Sequence, residues 1–283
     1  MLDIYHFSYG LLTPLLAYTM SVTGCLLGLQ CAARARTGKD RIGWLLGAAV
    51  AIGGTGIWVM HFIAMLGFSI RGTEIRYDIP LTLLSAITAM AVVGIGLFIV
   101  VKPEPSLVGL LAGGAVTGIG VGSMHYMGMY AMKSTAMISY DMRRVALSMV
   151  IAVVAATVAL WFTLRVKGFL ATVGAALIMG VAVCGMHYTG MSAMHAHTGN
   201  TDQPEGAGAM ELIAPLIVAS SVVTMLLLIS VSLTEIDRNI DLPPLRIAPR
   251  AKPDPLPPLP PVEPEIMPPA SAYWPTRTEV PRR

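Results

Sequence analysis

Three histidines, each followed by methionine at helical spacing, are the residues of this chain with the most chemistry in them. They lie in WVMHFIAM (Trp58 to Met65), GSMHYMGMYAM (Gly122 to Met132) and CGMHYTGMSAM (Cys184 to Met194). His61, His125 and His187 succeed one another at steps of 64 and 62 residues. In an α-helix, positions i and i+4 share a face one turn apart. His61 therefore stands with Met65, His125 with Met129 and His187 with Met191, and in the last two copies the stripe runs on to Met132 and Met194. A further methionine precedes each histidine: Met60, Met124 and Met186. Imidazole nitrogen and thioether sulfur on one helix face, three times over, form a donor set for a soft cation such as Cu(I).

Methionine is ordinarily a filler of apolar cores. Packing, however, does not require a histidine four residues ahead of a methionine in three separate segments. A histidine at membrane depth is also costly unless it has a partner. The competing readings are bis-histidine haem, a proton or small-solute pathway, and histidines that merely hydrogen-bond Tyr126, Tyr188 or backbone carbonyls. Haem accepts His or Met as axial ligands, but thioethers are in excess here and no C-x-x-C-H attachment motif occurs. A proton pathway lacks an acidic residue in the membrane core to pair with His. Copper is the reading these residues favour. His6, in YHFSYG, falls at the same end as the motifs and can join the site. His195 and His197 read as a solvated pair, and Cys184, three residues before His187, reads as a small packing residue.

The elements that must position these side chains are membrane helices. The chain has 283 residues, 55% hydrophobic and 12% charged, with a mean hydropathy of +0.69. That composition excludes a soluble domain. Stretches free of Asp, Glu, Lys and Arg, each near the roughly 20 apolar residues a span needs, fall at about 7–31, 43–68, 79–101, 107–130, 145–164, 168–194 and 212–234. In lipid each must satisfy its own backbone polar groups, so each is a helix. The expected fold is all-α, an integral membrane bundle of seven helices.

Residues 5–200 repeat with a period of about 63 residues, two helices per unit, and the seventh helix at 212–234 stands outside that pattern. Two helices per unit restore the chain direction, so all three motifs reach the same face. Runs of small residues precede them, GAAVAIGGTGIW, LLAGGAVTGIGVG and GAALIMGVAVCG. Such runs let membrane helices approach closely, which makes the even helices the expected inner ring. Lys and Arg are in excess at one set of helix ends, with Arg34, Arg36, Lys39 and Arg41, then Lys102, Arg165 and Lys167, then Arg238, Arg246 and Arg250, against Arg71, Arg76, Lys133, Arg143 and Arg144 at the opposite set. The positive-inside rule then places the N-terminus outside, the motifs at the outer face and the C-terminus in the cytoplasm. The first span has only Asp3 as a charge before Gln30 and so reads as an uncleaved anchor rather than a signal peptide. Residues 237–283 carry most of a proline-rich tail, with fourteen of the chain's twenty prolines after position 234. Such a segment cannot build a core and is expected to be disordered in the cytoplasm.

The strings MHF, MHY with its GM, and MHYT at Met186–Thr189 resemble the MHYT domain, a bacterial integral-membrane sensor domain. The resemblance covers about residues 5–200, with Phe62 standing for Tyr in the first copy and Met127 for Thr in the second. It implies six helices with Met and His near the outer face, and a copper site that senses oxygen, carbon monoxide or nitric oxide. On this basis His61, His125 and His187, with Met60, Met65, Met124, Met129, Met186 and Met191, are the implied ligands. Relatives often carry a cyclic-di-GMP enzyme, a DNA-binding domain or a kinase. Here about fifty proline-rich residues follow the last helix and no GGDEF, EAL or kinase motif occurs. The expectation is a stand-alone sensor of the bacterial cytoplasmic membrane, without enzymatic activity of its own. Its partners would be the bilayer, a diatomic gas and a separate cytoplasmic signalling protein, and not nucleic acid. A copper-handling or transport protein is the alternative.

Overall fold

A computed structural model describes residues 2–37, 40–199 and 204–240, with side chains as far as Leu233. The proline-rich tail lies outside the described residues. Among the described residues, seven helices are long and apolar enough to cross a membrane: α1 (Leu12–Thr37), α2 (Arg41–Leu66), α3 (Ile79–Val100), α4 (Leu107–Ala131), α5 (Met142–Arg165), α6 (Phe169–Met191) and α7 (Ala209–Ile240). The protein is an all-α membrane bundle. Side-chain oxygens cap several helix starts, satisfying amides that have no partner within the helix. Asp78 accepts from the Leu81 amide, Ser106 from Gly109 and Asp141 from Arg143.

Close helix contacts occur where the small-residue runs predict them. A Cβ added at Gly24 of α1 would lie 2.3 Å from the Gly56 amide nitrogen of α2, and one at Gly118 of α4 would lie 2.4 Å from the Val153 Cα of α5. Only glycine permits backbones to meet at that separation. Residues Val50–Val59 of α2 are π-helical, a widened stretch running up to the first motif. Such segments recur at functional sites, and nothing in the apolar pattern of α2 announces it.

The inner-ring expectation needs correction. The hydrophobic window of α2 is 83% buried, whereas those of α4 and α6 are 39% and 28% buried, below the 44% of α1. The reason is packing: α1, α3 and α7 all pack against the π-helical part of α2. By contrast Val116 and Ile119 of α4, and Ile178 and Val181 of α6, face outward. α2 is central; α4 and α6 bring only their motif ends inward.

The first span also starts later than 7–31 suggests, because residues before Leu12 enter a lid of short strands. Every strand lies at the motif end of the bundle: β1 (Ile4–Tyr5), β2 (Ser69–Ile70), β3 (Ile75–Tyr77), β4 (Met132–Ser134), β5 (Met137–Tyr140), β6 (Met194–His197) and β7 (Ala207–Gly208). β1 pairs with β2, β3 lies between β4 and β7, β5 pairs with β6, and all pairs are antiparallel. These pairings tie each connection at that end to the others. The same backbone bond closes each helix pair: Ser8 donates to Gly67, Asp78 to Ala131 and Asp141 to Ala193, each at 2.8 Å. Each acceptor sits six residues past a motif histidine.

At the opposite end, three arginines donate to backbone carbonyls of the odd helices: Arg34 to Val231 of α7 at 2.9 Å, Arg36 to Thr163 of α5 at 3.2 Å, and Arg41 to Val101 after α3. Arg36 and Arg41 complement the negative C-terminal ends of α5 and α3.

Candidate metal centre

The three motifs deliver one histidine each, from α2, α4 and α6, to a single point under the strand lid. His61 Nδ1 lies 2.9 Å from His187 Nδ1 and 3.1 Å from His125 Nδ1. The ring centroids are 4.9, 4.9 and 5.1 Å apart and the planes meet at 75–82°, so the rings form a three-bladed propeller. Each histidine is 1% exposed. Among the described residues this is the cluster whose donor atoms lie within 4.8 Å of one another, and it contains no carboxylate and no thiol.

The outer edges of the rings sit on small residues. A Cβ at Gly128 would lie 2.4 Å from His61 Nε2, and one at Gly190 would lie 2.2 Å from His125 Nε2. Gly128 is three residues after His125, and Gly190 three after His187. The His61 ring thus rests on the second motif and the His125 ring on the third. Ala64 occupies the same +3 position in the first motif and is buried. These glycines adjoin the histidine rings, and a search for donor atoms passes over them. The signal that could have revealed them is the small residue at +3 in all three copies.

The hydrogen-bonded alternative does not match the contacts. The Tyr126 hydroxyl pairs with Ser148 Oγ at 2.6 Å, and the Tyr188 hydroxyl is buried without a partner. All three Nε2 atoms are likewise buried without a hydrogen-bond partner. The Nδ1 atoms face one another, and in the tautomer with the proton on Nε2 each presents a lone pair to the others. A cation between the Nδ1 atoms satisfies all three lone pairs at once. Three nitrogens bound at about 2.0–2.1 Å stand roughly 3.3–3.6 Å apart, from tetrahedral to trigonal geometry, a few tenths of an ångström beyond the two contacts observed. The residues present fit a metal ion.

Met60, Met65, Met124, Met129, Met186 and Met191 are all buried, at 1–3% exposure, and Met132 and Met194 are buried too. The other histidines go elsewhere. His6 packs its ring on Phe68 at 5.6 Å, and burial there lowers its pKa below the usual imidazole range. His195 and His197 lie in β6, where exposed His197 meets Ser139 Oγ at 3.1 Å. Cys184 is a free, half-buried thiol outside the cluster of three.

Comparison with known proteins agrees with this threefold construction. The family profile MHYT, described as "Bacterial signalling protein N terminal repeat", matches residues 54–113, 118–176 and 180–235. Its repeat begins in a motif helix and ends in the following one, so its third copy includes α7. A bifunctional diguanylate cyclase/cyclic di-GMP phosphodiesterase, MucR of Pseudomonas aeruginosa, is 37% identical over 202 residues, 69% of this chain and 29% of that protein. The cyclic di-GMP phosphodiesterase NbdA of the same species is 36% identical over 148 residues, 50% of this chain and 19% of that protein. The signaling protein YkoW of Bacillus subtilis is 33% identical over 204 residues, 68% of this chain and 25% of that protein. The chain thus spans less than a third of the length of these relatives. No solved structure matches.

Proposed function

Because the chain belongs to the MHYT family of bacterial signalling proteins, we propose that His61, His125 and His187 hold a copper(I) ion through Nδ1 and that the bundle senses a diatomic gas, or the metal itself, there. The observation that carries this reading is the convergence of three buried Nδ1 atoms with no competing acid. The donor set also supports the choice of ion. Three neutral ligands leave the full cation charge in a buried site, and the cost of burying an ion rises with the square of its charge. A monovalent ion is therefore favoured over Zn(II) or Cu(II). The buried thioethers of Met60, Met65, Met124, Met129, Met186 and Met191 supply soft donors around it. Bound copper would supply an open coordination position for O2, CO or NO. The chain's own contribution is to orient the His61 and His125 rings on Gly128 and Gly190, to exclude water with the strand lid, and to link the ring positions to the helices that carry them.

The protein is a multi-pass membrane protein, and we place its motif end outside the cytoplasm of a bacterial inner membrane, on the Lys/Arg asymmetry. A reporter active only outside the cytoplasm should be silent when fused after Glu235 and active at Gly199. The reverse pattern would discard the orientation. The relatives named above are cyclic-di-GMP enzymes or signalling proteins; for this chain we place the output at the cytoplasmic helix ends, received by a separate partner.

Purification without chelators, followed by metal analysis and an optical spectrum, tests the site. Near-stoichiometric copper and no haem absorbance are expected. Haem iron in its place, or no uptake of supplied Cu(I), would overturn the reading. A gas-dependent spectral change then supports sensing, and copper flux in sealed vesicles supports the copper-handling alternative.

A further inference from the structure

One helical turn below the histidines, on the side away from the strand lid, the bundle contains an apolar cavity of about 50 Å³. Ile57, Val121 and Val183 line it, and each lies four residues before a motif histidine, hence one turn beneath its ring. The two hydroxyls in the lining are already used: Thr117 donates to the Val92 carbonyl at 3.3 Å, and Thr163 to Leu160 at 2.6 Å. A buried water needs two to four polar partners. The cavity has room for a small molecule, and the hydroxyls in its lining are not free to hold a water.

A second apolar groove runs along the outer surface between α5 and α6, where Val150, Val154 and Ile178 are exposed to what would be lipid. Ala155, Met179 and Ala182 line both the groove and the inner cavity. The partition between lipid and cavity thus includes two methyl-sized side chains and one flexible thioether, a residue that repacks readily. The opposite approach is closed, because the strand lid covers the motif end and the rings are 1% exposed.

We propose that this cavity is a holding chamber for one apolar molecule of diatomic size, reached from the bilayer through the α5–α6 partition and opening onto the underside of the three histidines. Small apolar solutes concentrate in hydrocarbon for the same reason that apolar surface leaves water. Lipid is therefore both their reservoir and their route. The proposal rests on the copper reading only for what the molecule meets at the end; the chamber itself needs no metal.

Xenon is the probe that separates the two. The full chain, labelled with ¹³C at methionine methyls and held in lipid nanodiscs, would be titrated with xenon under pressure. Met179 and Met186, which line the chamber, should shift saturably. Met210 and Met225, exposed on α7, should respond only in proportion to xenon dissolved in lipid. Ala159→Leu fills the chamber from α5 and should abolish the saturable shift. Ala155→Phe and Ala182→Phe thicken the partition and should slow CO binding to copper-loaded protein by tenfold or more, at unchanged affinity. Absence of a saturable shift at Met179 and Met186 in the unsubstituted protein overturns the chamber, as does a shift that survives Ala159→Leu. Saturable xenon binding in a protein that takes up no copper supports the chamber and sinks the metal reading; copper without saturable xenon does the opposite.

Discussion

Alanine at His61, at His125 or at His187 is expected to remove copper from the purified protein almost as completely as alanine at all three. Each ring supplies one of three converging Nδ1 atoms, and no other described His, Cys, Asp or Glu belongs to the cluster. A two-coordinate remnant has no replacement donor of that class. Loss of a mere supporting partner around a metal costs about 10–100-fold in affinity, so loss of a ligand should exceed that. His195→Ala is the internal control, since His195 sits in β6 outside the cluster, and it should retain copper at the unsubstituted level. The measurement is copper per chain after dialysis against a competing Cu(I) chelator, with membrane insertion checked in parallel. Met65→Leu, Met129→Leu and Met191→Leu keep side-chain volume and remove only sulfur. If they lose copper while inserting normally, the thioethers are ligands; if they match the unsubstituted protein, these methionines only pack and the site is imidazole alone. Undiminished copper in any single histidine variant would refute the three-ligand centre.

Gly128→Ala and Gly190→Ala are expected to match the histidine variants in copper loss, although neither glycine has a donor side chain. Their added Cβ atoms would stand 2.4 and 2.2 Å from imidazole nitrogens, far inside contact distance. The rings are 1% exposed on all sides, so relief requires turning them out of the Nδ1 convergence or spreading α4 and α6. Gly185→Ala, in the same third motif, meets nothing within 4 Å and should be silent. Ala64→Gly should also hold copper, since it gives the first motif the residue the other two already carry. The measurement is again copper retention, with histidine Nδ1 and Nε2 environments followed by ¹⁵N NMR. Normal copper content in Gly128→Ala would show that the ring seat tolerates a methyl group and is not needed to hold the metal.

Much of this protein is legible along the chain because the bilayer simplifies the problem. Lipid offers no partner for backbone polar groups, so seven uncharged apolar runs had to be helices, and they are. Helical periodicity is local, so His61, His125 and His187 could be placed on faces with their methionines, and two helices per unit put all three motifs at one end. The family membership was legible for the same reason, since MHYT at Met186–Thr189 and its two variants are contiguous strings. Convergence was not legible. Whether three histidines on three helices meet at 2.9 and 3.1 Å depends on interhelical rotation, which period and composition leave free. That rotation is set by contacts between distant residues, such as Gly24 on Gly56 and Gly118 on Val153, and by the π-helical turn count of Val50–Val59. The strand lid escaped for a related reason: its strands are two to four residues long and exist only because loops from different repeats lie side by side. The same applies to the central place of α2, which follows from α1, α3 and α7 packing around it. Local sequence determined which groups could do chemistry; only tertiary packing decided that the three histidines form one buried cluster above an apolar cavity.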